Sequence, residues 1–386
     1  MNERGVATMF ALIRQVLCDK PLTEEEKSRL TPELLPSLYA LSKAHDMAHV
    51  VAQALSDLGM LGTDEISAKF QKQMMLAVYR YQQLSHDLQK LCQTLEAAEI
   101  PFLPLKGSVL RALYPQPWMR TSCDIDVLVK EADLQRAGET LTEQLHWTQK
   151  QTGSHDVLFS TASGMTLELH YTLIEEQYRT HDTLLRIWEL VTPIDGAQYQ
   201  MEMPDEVFYF YHVAHMAKHF EEGGCGVRPF LDLWILAHCV EHDGEARDRL
   251  LEREGLLKLA EACRHLSEVW FGDAMHDDTS RQVESYILTG GLFGTVDNRV
   301  AVHQNKKGGK FRYVMSRIFL PYEQLKFLYP VLQKHKWLTP LMEVRRWFRL
   351  LFKGRWRRAA RELRLNQSVS QEQMENTAQL LERLGL

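Results

Sequence analysis

With 386 residues, 45% of them apolar and 25% charged, the chain has the balance of a folded globular protein and room for two or three domains. A net charge of −6 excludes a surface coated throughout in basic charge, while local basic patches stay open. Six scattered cysteines without a CxxC pair argue against a disulfide framework and suit free thiols in a reducing cytoplasm, and no run of about 18 apolar residues offers a membrane-spanning helix.

The first segment, residues 1–98, reads as helix throughout. MNERGVATMFALIRQVL mixes acidic and basic residues into an apolar run, which fits an amphipathic helix rather than a signal peptide. Thr23 followed by Glu24, Glu25 and Glu26 is a capping-box start. Thr31-Pro32-Glu33 places proline at a first helical position. Thr63-Asp64 opens a long segment with helical apolar spacing through Leu95, ending near Glu99.

The second segment, residues 99–200, changes to short apolar runs: IPFLPL, CDIDVLVK, HDVLFST and MTLELHYTL, with a helix from Glu131 to Leu145 between the second and third. Prolines push IPFLPL toward extended backbone. Gly153-Ser154 and Ser163-Gly164 are turn signals, the second joining HDVLFS to TLELHY as a hairpin. An α+β core with a mixed or antiparallel sheet is expected. The third segment, 201–386, reads as helical again, with a break at Gly290-Gly291, a mobile loop at HQNKKGGK (303–310) and a last helix over 370–384.

The chemistry concentrates between Leu103 and Val129. In CDIDVLV, strand alternation puts Asp124 and Asp126 on one face and Ile125 and Val127 on the other. Two such carboxylates repel unless a divalent cation or water lies between them. Upstream, Lys106-Gly107-Ser108 makes a turn that opens a short helix; Gly107 lets backbone approach a phosphate, and Ser108 at a helix start favours an anion. In TLELHY, Glu168 and His170 share a face, so pairing this strand with CDIDVLV would gather three acids.

A Gly-Ser turn, a helix, an aspartate-alternating strand and a third carboxylate on a neighbouring strand resemble the DNA polymerase beta-like nucleotidyltransferase superfamily. The fuller string, LKGSVLRALYP, then DIDVLV, LELHYTL, HVAHMAKH and GVRPFLDLWIL, resembles more narrowly an uncharacterised bacterial nucleotidyltransferase family over roughly residues 70–350. The resemblance implies a small mixed-sheet nucleotidyltransferase core flanked by N-terminal helices and a C-terminal helical domain. It implies two Mg2+ ions, with Mn2+ as the substitute, held by Asp124, Asp126 and Glu168. It implies transfer of a nucleoside monophosphate from an NTP such as ATP to an acceptor hydroxyl or phosphate, with Glu168 helping to activate the acceptor. Lys106, Gly107, Ser108 and Arg120 are the expected phosphate contacts. The alternatives are a toxin-like enzyme acting on tRNA or RNA ends, and a non-catalytic nucleotide-binding protein. The fifteen residues between Ser108 and Asp124 exceed the superfamily's common spacing, so Tyr114–Trp118 is expected to loop out. The metal reading requires Glu168 on the aspartates' side of the sheet, and no lysine or arginine filling the space among the acids.

Two further features stand apart. His212, His215 and His219 fall on nearly one helix face, either as a metal or phosphate site or as a packed polar face. Arg228 and Asp232 either line the same cleft or form an internal ion pair. Residues 341–365 carry nine basic side chains, from Arg345 to Arg364, against Glu343 and Glu362. Interleaved with aromatics, this stretch reads as a contact for RNA or an anionic membrane, or as a solvated amphipathic helix. The expected location is the cytoplasm, with the inner membrane surface as a peripheral site.

Overall fold

The structure, a computed structural model, describes residues 3–174, 182–241, 243–291, 298, 302, 315, 318–352 and 371–386. The N-terminal segment is helical as its caps require: α1 (Glu3–Leu17), α2 (Glu24–Arg29), α3 (Leu35–Ala44), α4 (Ala48–Asp57) and α5 (Glu65–Ala97). The Thr23 capping box forms with Glu26, and the Asp64 side chain accepts the N–H groups of Ile66 and Ser67 to start α5. Phe70, Ala77, Leu84 and Leu91 recur along α5 at intervals of seven and are all buried, so one stripe of the helix faces the core along its length.

The second segment forms a five-stranded sheet in the order β1-β2-β5-β4-β3, from β1 (Phe102–Pro104), β2 (Asp124–Val129), β3 (Thr148–Thr152), β4 (Asp156–Ser160) and β5 (Thr166–His170). The short helix α6 (Gly107–Leu110) lies between β1 and β2, and α7 (Leu134–Gln144) between β2 and β3. The β4–β5 hairpin forms at the Ser163-Gly164 turn, where Gly164 has φ of +83°. All pairings are antiparallel except β2 with β5, which makes the sheet mixed. Ile125, Val127, Val129, Leu167 and Leu169 share a buried core with Leu84, Leu91 and Leu95 of α5 and Ala137 and Leu141 of α7. The alternation therefore sends Asp124, Asp126, Glu168 and His170 to the opposite face. Strand β3 was not legible: TQKQT is wholly polar and wholly exposed, an edge strand with no apolar face to read.

Beyond the sheet come α8 (Asp182–Leu185), a small ladder of β6 (Thr192–Pro193) with β7 (Met201–Glu202), then α9 (Asp205–Glu221), α10 (Arg228–Cys239), α11 (Gly244–Arg253), α12 (Leu257–Phe271) and α13 (Asp278–Gly290). The C-terminal stretch adds α14 (Tyr322–Leu328), α15 (Val331–Lys334), α16 (Thr339–Phe352) and α17 (Gln371–Arg383). Helices from both ends of the chain share one core: Phe10 stacks on Trp270 at 4.5 Å, and Leu12, Ile13, Val50, Phe230, Cys263 and Leu384 are buried together. That core also takes Leu103, Leu105 and Leu128 from the sheet's other face, so helices close over the face that carries the acids. The 303–310 loop and Lys353, Arg355, Arg357, Arg358, Arg361 and Arg364 of the basic stretch lie outside the described residues. Among the described residues no helix is long and apolar enough to cross a membrane.

Candidate active site

The parallel pairing of β2 with β5 sets Asp126 opposite Glu168 in register, with Asp124 opposite Thr166 and Leu128 opposite His170. Neighbouring strands lie about 4.8 Å apart, so same-face side chains at paired positions are adjacent. Side-chain atoms of Asp126, Glu168 and His170 lie within 4.8 Å of one another, a group able to hold a metal ion. The His170 Nε2 donates to Asp126 Oδ1 at 3.0 Å and stands 3.4 Å from Glu168 Oε2. Glu168 is on the aspartates' side of the sheet, as the sequence reading required.

The other requirement is met only in part. Lys106 Nζ reaches Asp126 Oδ1 at 2.8 Å, and among the described residues it makes no ion pair with Asp124 or Glu168. Burial pulls the Asp126 carboxyl upward, but Lys106 and His170 outweigh it and hold the group well below the usual carboxylate range. Among the described residues the Asp124 carboxylate has no such hydrogen-bonded partner. Burial, then the charges of Asp126 and Glu168, push its carboxyl up to about 6. Crowded acids with one member this strained are the environment that a divalent cation relieves, and the oxygen-rich donor set suits magnesium or manganese.

Lys106 itself has φ of +44° and ψ of −117°, a conformation that glycine favours. Such backbone costs about 1–3 kcal/mol in a residue with a side chain and persists only where its surroundings fix it. Here the turn aims the Lys106 ammonium at β2. Gly107 follows; a Cβ there would sit 3.4 Å from Ser122 Cβ and 3.5 Å from both Arg111 Nη2 and Arg120 Nη1. These are ordinary van der Waals contacts, so the turn lies beside two guanidinium groups without requiring a glycine there. Ser108 is placed differently from the expectation. Its N–H donates to the Leu105 carbonyl, its Oγ is buried without a hydrogen-bond partner, and it does not line the cavity beside the acids.

That cavity has a volume of about 660 Å³ and is walled on one side by Lys106, Gly107, Asp124, Asp126, Glu168 and His170. Helix α9 supplies the opposite wall with Tyr211, His212, His215, Lys218 and His219. The three histidines do share the face. His212 Nε2 donates to the Pro229 carbonyl at 2.9 Å, while the His215 and His219 rings pack edge to face at 4.5 Å. Burial, and then the charge of Lys106, keep His215 neutral far below the usual imidazole range.

Arg120, Arg228 and Asp232 also line the cavity, but each charge is already engaged. Arg120 Nε donates to Asp232 Oδ1 at 2.7 Å, and Tyr114 Oη donates to the same oxygen at 2.7 Å. Arg228 pairs with Asp46, which also accepts from Thr121 Oγ1 at 2.7 Å. The long loop before β2 therefore loops out only at its tip: Pro115 and Gln116 are exposed, while Tyr114 and Met119 are buried and His49 Nε2 donates to the Met119 carbonyl at 2.8 Å. The added residues join α4, α10 and the sheet. Several cavity residues escaped the sequence reading, among them Tyr211, His155 and Cys123. Tyr211 hides in an apolar helix. His155 lies 5.5 Å from His170, ring to ring, and could have been found by writing β4 against β5, which sets Asp156 opposite His170. Cys123 is exposed beside Asp124.

A mixed sheet bearing paired acids on neighbouring strands, facing a cavity roofed by helices, has the arrangement of a nucleotidyltransferase core. Residues 33–272 match the family described as uncharacterised nucleotidyltransferase, and the chain belongs to that family: it is a transferase of nucleotidyl groups. The match reaches back into the N-terminal helices and ends just past α12, before α13 and the C-terminal stretch. No curated protein and no solved structure matches the chain.

Proposed function

We propose that the protein carries out divalent-metal-dependent transfer of a nucleoside monophosphate from an NTP to an acceptor hydroxyl or phosphate, releasing pyrophosphate. The observation that carries this reading is the in-register pairing of Asp126 with Glu168, with Asp124 on the same face, in the wall of a cavity large enough for a nucleotide. Asp124, Asp126 and Glu168 would hold Mg2+ or Mn2+, with His170 fixing the Asp126 carboxylate by its hydrogen bond. When bound, the metal supplies positive charge to the triphosphate and to the attacking and leaving oxygens.

The remaining work falls to this chain's residues. A bond forms between the acceptor oxygen and the α-phosphorus, and the bond from that phosphorus to the α,β-bridging oxygen breaks. Glu168 takes the acceptor proton. Lys106 holds Asp126 through its ammonium, and freed from that carboxylate it would be placed to meet the outer phosphates beside Gly107. Arg120 braces this turn while held by Asp232. His215, neutral and facing the cavity, orients the acceptor by hydrogen bonding.

The test is incubation of the protein with α-labelled NTPs, magnesium and cell extract. The reading predicts label transferred to an extract component together with pyrophosphate release, both lost in Asp124→Asn/Asp126→Asn. Label transfer that persists in that folded double variant would refute it.

A further inference from the structure

Arg111 does not line the cavity, yet it touches both parts of the machinery beside it. It follows the short helix α6 and is buried, 6% exposed. Its Nε donates to the Gly107 carbonyl at 2.6 Å, and its Nη2 donates to Ser122 Oγ at 2.9 Å. Ser122 Oγ donates in turn to the Asp124 carbonyl at 3.0 Å. One guanidinium thus ties the Lys106-Gly107 turn to the first residue of β2. On the cavity side the same turn and strand meet through Lys106 and Asp126 at 2.8 Å. The donors of a guanidinium are fixed in one plane, so two bonds from it set both the separation and the orientation of the segments it joins.

Lys106 and Arg120 each pair with an aspartate, whereas Arg111 makes no ion pair among the described residues and gives its bonds to a carbonyl and a hydroxyl. Burial, and then the charge of Arg120, pull its guanidinium down to about 10, so it stays charged at neutral pH. Burying a charge without an opposite one is costly, and apolar packing fills space without that cost. What apolar packing cannot do is hold two backbone segments together by directed bonds. Given the nucleotidyl-transfer reading, on which this rests, we propose that Arg111 is a positioning residue for the reaction. It fixes the turn bearing Lys106 and Gly107 against the start of β2, so that the phosphate-facing groups and the β2 carboxylates keep one separation.

The experiment compares Arg111→Met, Ser122→Ala and the double variant with wild type, all as the full chain. One readout is transfer of label from α-labelled NTPs to cell extract with magnesium, expressed per folded molecule from thermal melts. The other is calorimetric binding of inorganic tripolyphosphate with Mn2+. Arg111→Met is expected to cut the rate at saturating NTP by about 100-fold, the effect of a misplacement of about 1 Å, with a smaller rise in KM. Tripolyphosphate should bind it about tenfold more weakly. Ser122→Ala keeps the guanidinium and its Gly107 bond and should lose about tenfold in rate. The double variant should fall no further than Arg111→Met, because both changes cut one chain of bonds. A merely structural arginine would lower the melting temperature and leave rate and affinity per folded molecule unchanged. That result overturns the proposal, as do single effects that multiply in the double variant. If Arg111→Met does not fold, Ser122→Ala decides, and unchanged rate and affinity in it overturn the proposal. Wild type inert toward every extract component would sink the transfer reading instead, and tripolyphosphate binding would still judge Arg111.

Discussion

Asp124→Asn makes the site's electrostatics measurable without a substrate. The Asp124 carboxyl moves from an ordinary 3.8 to about 6, because burial and the neighbouring charges of Asp126 and Glu168 disfavour its ionised form. That displacement corresponds to about 3 kcal/mol as an upper bound, since each tenfold change in proton affinity is about 1.4 kcal/mol. A pKa raised in the folded state means the group's contribution is whole below the unfolded value near 4 and is lost as the pH rises through about 6. Wild type therefore loses stability across that window, and the asparagine variant does not. Without divalent ions at about pH 8, Asp124→Asn should be more stable than wild type by about 1–3 kcal/mol, the gap closing as the pH approaches 4. Urea unfolding in EDTA across that range measures it. Added Mn2+ should then stabilise wild type much more than the variant. An asparagine variant equal to or weaker than wild type at pH 8, with an unchanged urea slope, would refute the reasoning.

Three other perturbations probe neighbouring contacts. Lys106→Met removes the ammonium that occupies Asp126 at 2.8 Å, so Mn2+ titrated without nucleotide should bind more tightly, by about tenfold for a loss of about 1.4 kcal/mol of competition, while the KM for NTP rises; weaker Mn2+ binding would contradict the competition. Glu168→Gln should cut the transfer rate by about 10²–10⁴ with a smaller effect on NTP binding, the range expected for a general base; equilibrium nucleotide binding and single-turnover transfer separate the two. Asp232→Ala leaves the buried Arg120 guanidinium without its carboxylate and should cost about 3–5 kcal/mol in urea unfolding, whereas an effect below 1 kcal/mol would mean the pair is not sealed from solvent.

Much of the core was legible because strand alternation is local. CDIDVLV and TLELHY each declared a polar and an apolar face, and the turn at Ser163-Gly164 fixed how β4 meets β5. The pairing of Asp126 with Glu168 followed once β5 was set beside β2, while Asp124 lies outside the group that Asp126, Glu168 and His170 form within 4.8 Å. What stayed hidden depends on distant sequence. Nothing near Arg120 announces Asp232, nor near Arg228 announces Asp46, since both pairs join elements more than a hundred residues apart. Lys106 was read as a phosphate contact because its chemistry suits one; that it rests on Asp126 follows from a positive φ no local pattern encodes. Ser108 was drawn toward the site by its place in the turn, yet that turn spends the Ser108 N–H on the Leu105 carbonyl. The loop before β2 seemed surplus by spacing alone, whereas the buried Tyr114 and Met119 tie it to the helical body.

Anomalous diffraction from crystals soaked with Mn2+ and a non-hydrolysable NTP asks where the cation sits. The account predicts a manganese peak in bonding contact with carboxylate oxygens of Asp126 and Glu168, with the Lys106 ammonium displaced from Asp126 toward phosphate. Nucleotide bound in the cavity with Lys106 still on Asp126 and no manganese among the three acids would contradict it.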